Sequence, residues 1–274
     1  MRTIAHISDI HFGRIDLAIA DALVSDLSSR TSSLVVISGD LTQRARRRQY
    51  EDAALFLKRL PKPQLVVPGN HDVPLYDVIR RFFAPLQYYH RHITSDLRPV
   101  WRDDKMLVVG LNTTRAFSPR LKGFWKDGGI GQPELEEACK ILREASEYHF
   151  KVVVTHHPFI PAPGEDPDDI VHGAARALEA FETCGVDLLL AGHLHVCYSG
   201  DVCTFHHAVK RSMLSVQAGS ATSTRRRGQP NSYNWITVEH DHVTIEVRSW
   251  DGRSFSPSAT TQFMRIEGTW RQNQ

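Results

Sequence analysis

Ile4-Ala5-His6-Ile7-Ser8-Asp9-Ile10-His11 is a mostly aliphatic run that ends in two side chains able to bind a metal. The same arrangement recurs along the chain. Leu34 to Ile37 leads to Asp40, Leu65 to Val67 to Asn70, Val152 to Val154 to His156, and Leu188 to Leu190 to His193 and His195. Runs this rich in Val, Ile and Leu read as buried strands. Strands of an α/β sheet bind ligands beyond their carboxyl ends, so five runs ending in polar residues can converge on one pocket. Seven candidate ligands follow: Asp9, His11, Asp40, Asn70, His156, His193 and His195.

Amphipathic helical stretches alternate with these runs at Leu17 to Ser29, Arg46 to Leu60, Gln132 to Tyr148 and Ala174 to Cys184, which predicts α/β layering. Beyond them Met213 to Gln217, Trp235 to Glu239, Val243 to Trp250 and Gln262 to Ile266 read as short strands with no helix between, hence an antiparallel sheet. His240 and Asp241 stand at hairpin spacing within it. No linker is evident, so residues 1–274 are expected to form one domain, with 196–274 completing it as a mainly β part. Val73 to Val100, with Phe82, Phe83, Tyr88 and Tyr89, and Thr113 to Gly131 resist assignment and are candidate pocket rims.

The chain has 274 residues, 41% of them hydrophobic, enough for a sizeable core. Lys and Arg total 33 against 31 Asp and Glu, a balance that argues against a dedicated nucleic-acid or membrane-surface binder. Four cysteines without a CxxC pair, no apolar run long enough to span a membrane and no secretory leader point to a cytoplasmic protein.

Asp9 and His11, two residues apart, face one way if the backbone there stays extended. Gly39 allows a tight turn before Asp40, whose two carboxylate oxygens suit a bridge between two cations. In Gly69-Asn70-His71-Asp72 the Asn offers a neutral oxygen to a metal, while His71 stays free to handle protons. Asp72 is expected to hold the His71 imidazole and keep it protonated. Imidazole, carboxylate and amide oxygen together suit a pair of Mn, Fe, Co or Zn ions. Two such ions about 3.5 to 4 Å apart can activate a hydroxide and clamp an in-line displacement at phosphorus.

Asp9-x-His11, Gly39-Asp40, Gly69-Asn70-His71-Asp72, His156 and Gly192-His193-x-His195 occur in the order of the calcineurin-like metallophosphoesterase superfamily, which the chain resembles. That resemblance implies a four-layer α/β/β/α sandwich of two mixed sheets flanked by helices. It implies that Asp9, His11 and His195 hold one metal, that Asn70, His156 and His193 hold the other, that Asp40 bridges them, and that His71 is the catalytic histidine. Gln43 departs from the pattern, many members carrying an aspartate there, and His157 is expected at the pocket wall.

The expected activity is hydrolysis of a small phosphodiester, such as a cyclic nucleotide or glycerophosphodiester, as in similar members. A phosphomonoesterase or protein phosphatase, or a nuclease, would use the same metal core. Arg44, Arg115, Lys122 or His157 at the rim would meet a phosphate, Tyr88 or Phe83 would stack on the substrate, and Arg225 to Arg227 would lie near the rim. An exposed strand edge or the Val73 to Val100 segment leaves an oligomer open.

Overall fold

The computed structural model describes residues 1–117, 126–146, 149–206, 208–225, 228–239 and 241–273. The chain opens with β1 (Arg2–Ile7), α1 (Leu17–Ser28), β2 (Leu34–Ser38), α2 (Arg47–Arg59) and β3 (Gln64–Val67). Two short helices, α3 (Val78–Phe83) and α4 (Gln87–His92), precede β4 (Val100–Arg102), β5 (Met106–Gly110), α5 (Gln132–Glu144), β6 (Phe150–Val154), α6 (Ala174–Cys184) and β7 (Leu188–Ala191). Strands then dominate: β8 (Tyr198–Asp201), β9 (Leu214–Gln217), β10 (Ser232–Glu239), β11 (His242–Trp250), β12 (Phe255–Ile266) and β13 (Thr269–Gln272).

Local chemistry sets the helix ends. Asp16 caps α1 by accepting from Ala18 N at 3.0 Å, and α6 stops at Gly185, whose φ of 73° suits a residue without Cβ.

One sheet has the order β13-β12-β11-β10-β1-β2-β3 and the other β4-β5-β6-β7-β9-β8. Parallel pairing joins β1, β2 and β3, and likewise β5, β6, β7 and β9, while the remaining pairs are antiparallel. Side-chain parity then explains why the runs are continuously apolar. Leu34 and Val36 point into a core shared between the sheets, together with Val152, Val154, Leu188 and Leu190. Val35 and Ile37 pack instead against Leu23, Tyr50 and Phe56 of α1 and α2. Val153 and Leu189 pack against Leu135, Leu142 and Phe181 of α5 and α6. Three apolar layers between four layers of secondary structure make the α/β/β/α sandwich.

Several expectations change. Met213 to Gln217 is not part of the antiparallel carboxy-terminal sheet, because β9 pairs parallel with β7 and puts its polar end beside the others. Val73 to Val100 folds into α3 and α4 before reaching β4. Tyr89 is core, whereas Phe82 and Phe83 are exposed. Part of Thr113 to Gly131, including Lys122, lies outside the described residues, as do Tyr148, Arg226, Arg227 and His240. Among the described residues no helix is long and apolar enough to cross a membrane.

Candidate metal centre

All seven candidate ligands and His71 lie in segments that follow the carboxyl ends of β1, β2, β3, β6 and β7. The backbone there does not stay extended. Asp9 (φ 55°), His11 (57°), Asp40 (54°), His193 (74°) and His195 (58°) all adopt the left-handed region, which non-glycine residues seldom enter. Each such residue costs about 1–3 kcal/mol and persists where its surroundings over-determine it. Five within one cluster of seven mark a strained, purpose-built site. These left-handed turns replace the extended geometry expected for the Asp9/His11 pair.

The donors converge. Asp40 places Oδ2 3.5 Å from Nε2 of His11 and Oδ1 3.4 Å from Nε2 of His156. Asp9 Oδ1 is 3.6 Å from Nε2 of His11 and 3.7 Å from Nδ1 of His195. Asn70 Oδ1 lies 3.0 Å from Nε2 of His156 and 3.1 Å from Nδ1 of His193. The ring of His156 is oriented by Ser38, whose carbonyl takes the Nδ1 proton at 2.8 Å and leaves Nε2 as a lone pair.

Whether these residues fit cations is tested by what they leave unpaired. Among the described residues, both ring nitrogens of His11 and Oδ1 of Asp9 are buried without a hydrogen-bond partner. Orphaned buried polar atoms are expensive, and a bound cation would satisfy Oδ1 of Asp9 and the His11 nitrogen that carries the lone pair. The ionisation states of Asp9, Asp40 and His193 agree, whereas at His11 burial opposes charge but the neighbouring Asp9 and Asp40 carboxylates raise the pKa, so a cation would displace that proton. Burial opposes charge on Asp9 and Asp40, yet surrounding imidazoles hold both carboxyls below their usual range, and burial drives His193 well below its own. Ionised carboxylates and a neutral imidazole are ligand forms. Gly69 is required for the approach: a Cβ there would sit 2.2 Å from both N and Oδ1 of Asp40.

His71 sits beside this cluster, its ring centroid 4.9 Å from that of His11. Asp72 does not hold it. The Asp72 carboxylate accepts from Gly69 N, Leu41 N, Thr42 N and Thr42 Oγ1, binding the β2 and β3 loops together, while burial pushes its pKa up to about 6. Gln43 takes the expected role of Asp72: its backbone carbonyl accepts from Nδ1 of His71 at 2.9 Å, and its side-chain amide lies 3.2 Å away. Nε2 therefore carries the lone pair, and Arg225 Nη1 is 3.1 Å from it. Burial comes first among the causes that lower the His71 pKa, so the expected protonated imidazole is corrected to a neutral one.

His157 is buried rather than at the rim. Its ring lies 4.6 Å from that of His193, but Thr113 Oγ1 at 2.8 Å and the Lys126 carbonyl at 2.9 Å engage both nitrogens. Burial pushes its pKa down to about 3. Missing from the sequence reading were Ser220, whose hydroxyl stands 2.6 Å from Nδ1 of His195, and the cavity residues Arg14, Tyr76, Arg81 and Lys126. The one sequence signal for Ser220 is that it follows the apolar run of β9 as the other site residues follow theirs. The cavity has a volume of about 680 Å³, and its lining includes Asp40, Asn70, His71, His193, His195, Arg44 and Arg225 together with Arg14, Tyr76, Arg81 and Lys126. Phe83, Tyr88 and Arg115 are not in its wall, so the expected stacking by Phe83 or Tyr88 is not supported; the one aromatic ring among the described lining residues besides the histidines is Tyr76, which faces Arg44.

Residues 2–197 match the calcineurin-like phosphoesterase family. The glycerophosphodiester phosphodiesterase GpdQ of Enterobacter lignolyticus is 39% identical over 207 residues, covering 70% of this chain and 70% of that protein. A probable cyclic nucleotide phosphodiesterase of Rhodopseudomonas palustris is 24% identical over 241 residues, covering 85% of this chain and 84% of that one. Among solved structures, a dimetal phosphatase from Danio rerio superposes with a TM-score of 0.66 at 14% identity, over 90% of this chain and 96% of the other, a likeness of fold. Motif order, sandwich fold and convergent donors agree with these matches: the chain belongs to the calcineurin-like phosphoesterase family and is a metal-dependent phosphoesterase.

Proposed function

We propose that the protein hydrolyses a small phosphodiester, a glycerophosphodiester or a cyclic nucleotide, at a dinuclear metal centre. Asp9, His11 and His195 would hold one ion, Asn70, His156 and His193 the other, and Asp40 would bridge them. The observation that carries this reading is the placement of the two Asp40 oxygens, one toward His11 and one toward His156, beside the unpaired nitrogens of His11. Manganese, iron, zinc or cobalt suits the mixed donor set. When bound, such a pair supplies Lewis acidity and a nucleophile at neutral pH. The same reading takes residues 1–274 as one domain, since β10 pairs with β1.

The chain's own residues do the rest. Gln43 fixes His71 through Nδ1, so Nε2 is the atom that meets the substrate. A proton at Nε2 is shared with a phosphoryl oxygen or passed to the departing alkoxide, and the negative charge of a bound phosphate favours its presence there. Arg225, already beside Nε2, offers its guanidinium to the same phosphate. Preference for a diester rests on the activities named for the two curated relatives.

The test is nitrophenolate release by manganese-loaded protein from bis(p-nitrophenyl) phosphate and from p-nitrophenyl phosphate, each with a chelated control. Faster chelator-sensitive cleavage of the diester supports the reading, and faster cleavage of the monoester turns it into a phosphatase.

A further inference from the structure

Six cationic side chains, Arg14, Arg44, Arg46, Arg81, Arg225 and Lys126, line the cavity, and the one carboxylate among the described lining residues is Asp40. Two divalent ions held by Asp9 and Asp40 would already exceed the single negative charge of a diester. Arg225 meets the scissile phosphate; the other arginines are therefore surplus for a monoanionic substrate, and they are not neutralised locally. No ion pair joins Arg14, Arg44, Arg46, Arg81 or Arg225 to a described acidic residue, whereas Lys126 pairs with Asp169 at 2.5 Å.

Arg81 stands apart within this set. It is 4% exposed, in α3, and among the described residues no carboxylate pairs with it. Nε donates to the Ala116 carbonyl at 2.5 Å and Nη1 to the Pro74 carbonyl at 2.9 Å, while Nη2 is buried without a hydrogen-bond partner among the described residues. Two neutral carbonyls do not compensate a buried guanidinium, which stays charged in proteins. Arg44 lies farther out, its Nη1 3.1 Å from the hydroxyl of Tyr76 and its guanidinium 4.9 Å from the centre of that ring. Both line the space that His71 and Asn70 enter from the metal side. The fork of a guanidinium matches a phosphate better than any other side chain does.

We propose that the cavity selects phosphodiesters bearing a second phosphate group on the retained alcohol or nucleoside arm, and that Arg81 is the specificity residue that binds this second anion. The proposal rests on the phosphodiesterase reading above. Substrate with only the scissile phosphate leaves Nη2 of Arg81 unpaired, so the benefit of the second phosphate appears as tighter binding rather than as faster chemistry.

The experiment compares thymidine 5′-(p-nitrophenyl phosphate) with the same ester carrying a 3′-phosphate, on manganese-loaded full-length protein at low salt. The two differ only in the second phosphate. The wild type is expected to favour the 3′-phosphorylated ester by about tenfold in kcat/KM, through KM. In Arg81→Gln that ratio should fall to about one. Arg81→Lys keeps the charge without the fork and should retain part of it. Arg47→Gln is the control for charge alone, because Arg47 pairs with Glu51 on α2 outside the cavity, and it should keep the wild-type ratio.

A wild-type ratio near one, or an equal fall of the ratio in Arg81→Gln and Arg47→Gln, overturns the proposal. Metal-loaded wild type that cleaves p-nitrophenyl phosphate but neither diester instead overturns the phosphodiesterase reading on which it rests.

Discussion

Asp40 holds Oδ1 3.4 Å from Nε2 of His156. Its other oxygen is 3.5 Å from Nε2 of His11, and Oδ1 also accepts from the backbone N–H of His71 at 2.8 Å. One carboxylate thus touches both halves of the ligand cluster and the peptide that presents His71. Its left-handed backbone and the absence of a side chain at Gly69 are what allow that position.

Gly69→Ala should disturb the centre without touching a ligand. A Cβ 2.2 Å from Asp40 N and Oδ1 must push the β2 and β3 loops apart, since one atom is backbone and the other is held by the His71 N–H. Overpacking of this kind costs about 1–3 kcal/mol. Manganese affinity should weaken at least about tenfold, and a variant binding manganese like wild type in a calorimetric titration would contradict the account.

His71→Ala should lower kcat on bis(p-nitrophenyl) phosphate by about 10²- to 10⁴-fold with metal content unchanged. His71 lies beside the donors and is held by Gln43 instead. A near wild-type rate would remove it from the reaction, and loss of metal would make it a ligand.

Stability is anchored elsewhere by Arg248 and Asp26. Arg248 of β11 grips the Asp26 carboxylate of α1 through Nε at 2.8 Å and Nη2 at 2.9 Å, and the hydroxyl of Tyr233 donates to the same carboxylate. Arg248→Ala should cost about 2–3 kcal/mol in urea unfolding, the low side of what breaking a buried pair costs, because Asp26 keeps some contact with water. A loss under about 0.5 kcal/mol would place the pair among ordinary surface contacts.

His6 gives a pH dependence. Its ring lies between the sheets with Nε2 2.9 Å from Ser38 Oγ, and burial pushes its pKa down to about 3. Below its ordinary pKa of about 6.5 the unfolded chain takes up a proton that the folded chain refuses, so folding stability falls as pH drops from there toward 3. The slope from one such group approaches about 1.4 kcal/mol per pH unit. With chelator present, His6→Asn should lose stability less steeply than wild type between about pH 6 and about pH 4, the contributions of His71, His157 and His193 being common to both proteins. Parallel profiles would contradict the buried neutral imidazole.

The strands that carry the site were legible because each is buried on both faces and so reads as an unbroken apolar run: Val152, Val153 and Val154 alternate between the inner core and the α5/α6 layer. The ligands were legible because they follow those runs directly. Pairing partners were not. Met213 to Gln217 looks the same whether its neighbour is β7 or another carboxy-terminal strand, and only the parallel pairing with β7 brings Ser220 to His195. Nor did spacing reveal the left-handed turns at Asp9 and His11, which tertiary contacts impose against local preference, or that Gln43 rather than Asp72 orients His71. Arg81 reaches the cavity through a helix whose exposed Phe82 and Phe83 gave no sign of it.

The central claim, a two-metal centre bridged by Asp40, is tested most directly by metal analysis and electron paramagnetic resonance of manganese-reconstituted wild type and Asp40→Ala. The account predicts two ions per wild-type chain with the signal of a coupled pair, and at most one uncoupled ion in Asp40→Ala, with diester cleavage lost. Full wild-type activity with a single ion per chain, or an Asp40→Ala protein that keeps two coupled ions and its activity, would contradict it.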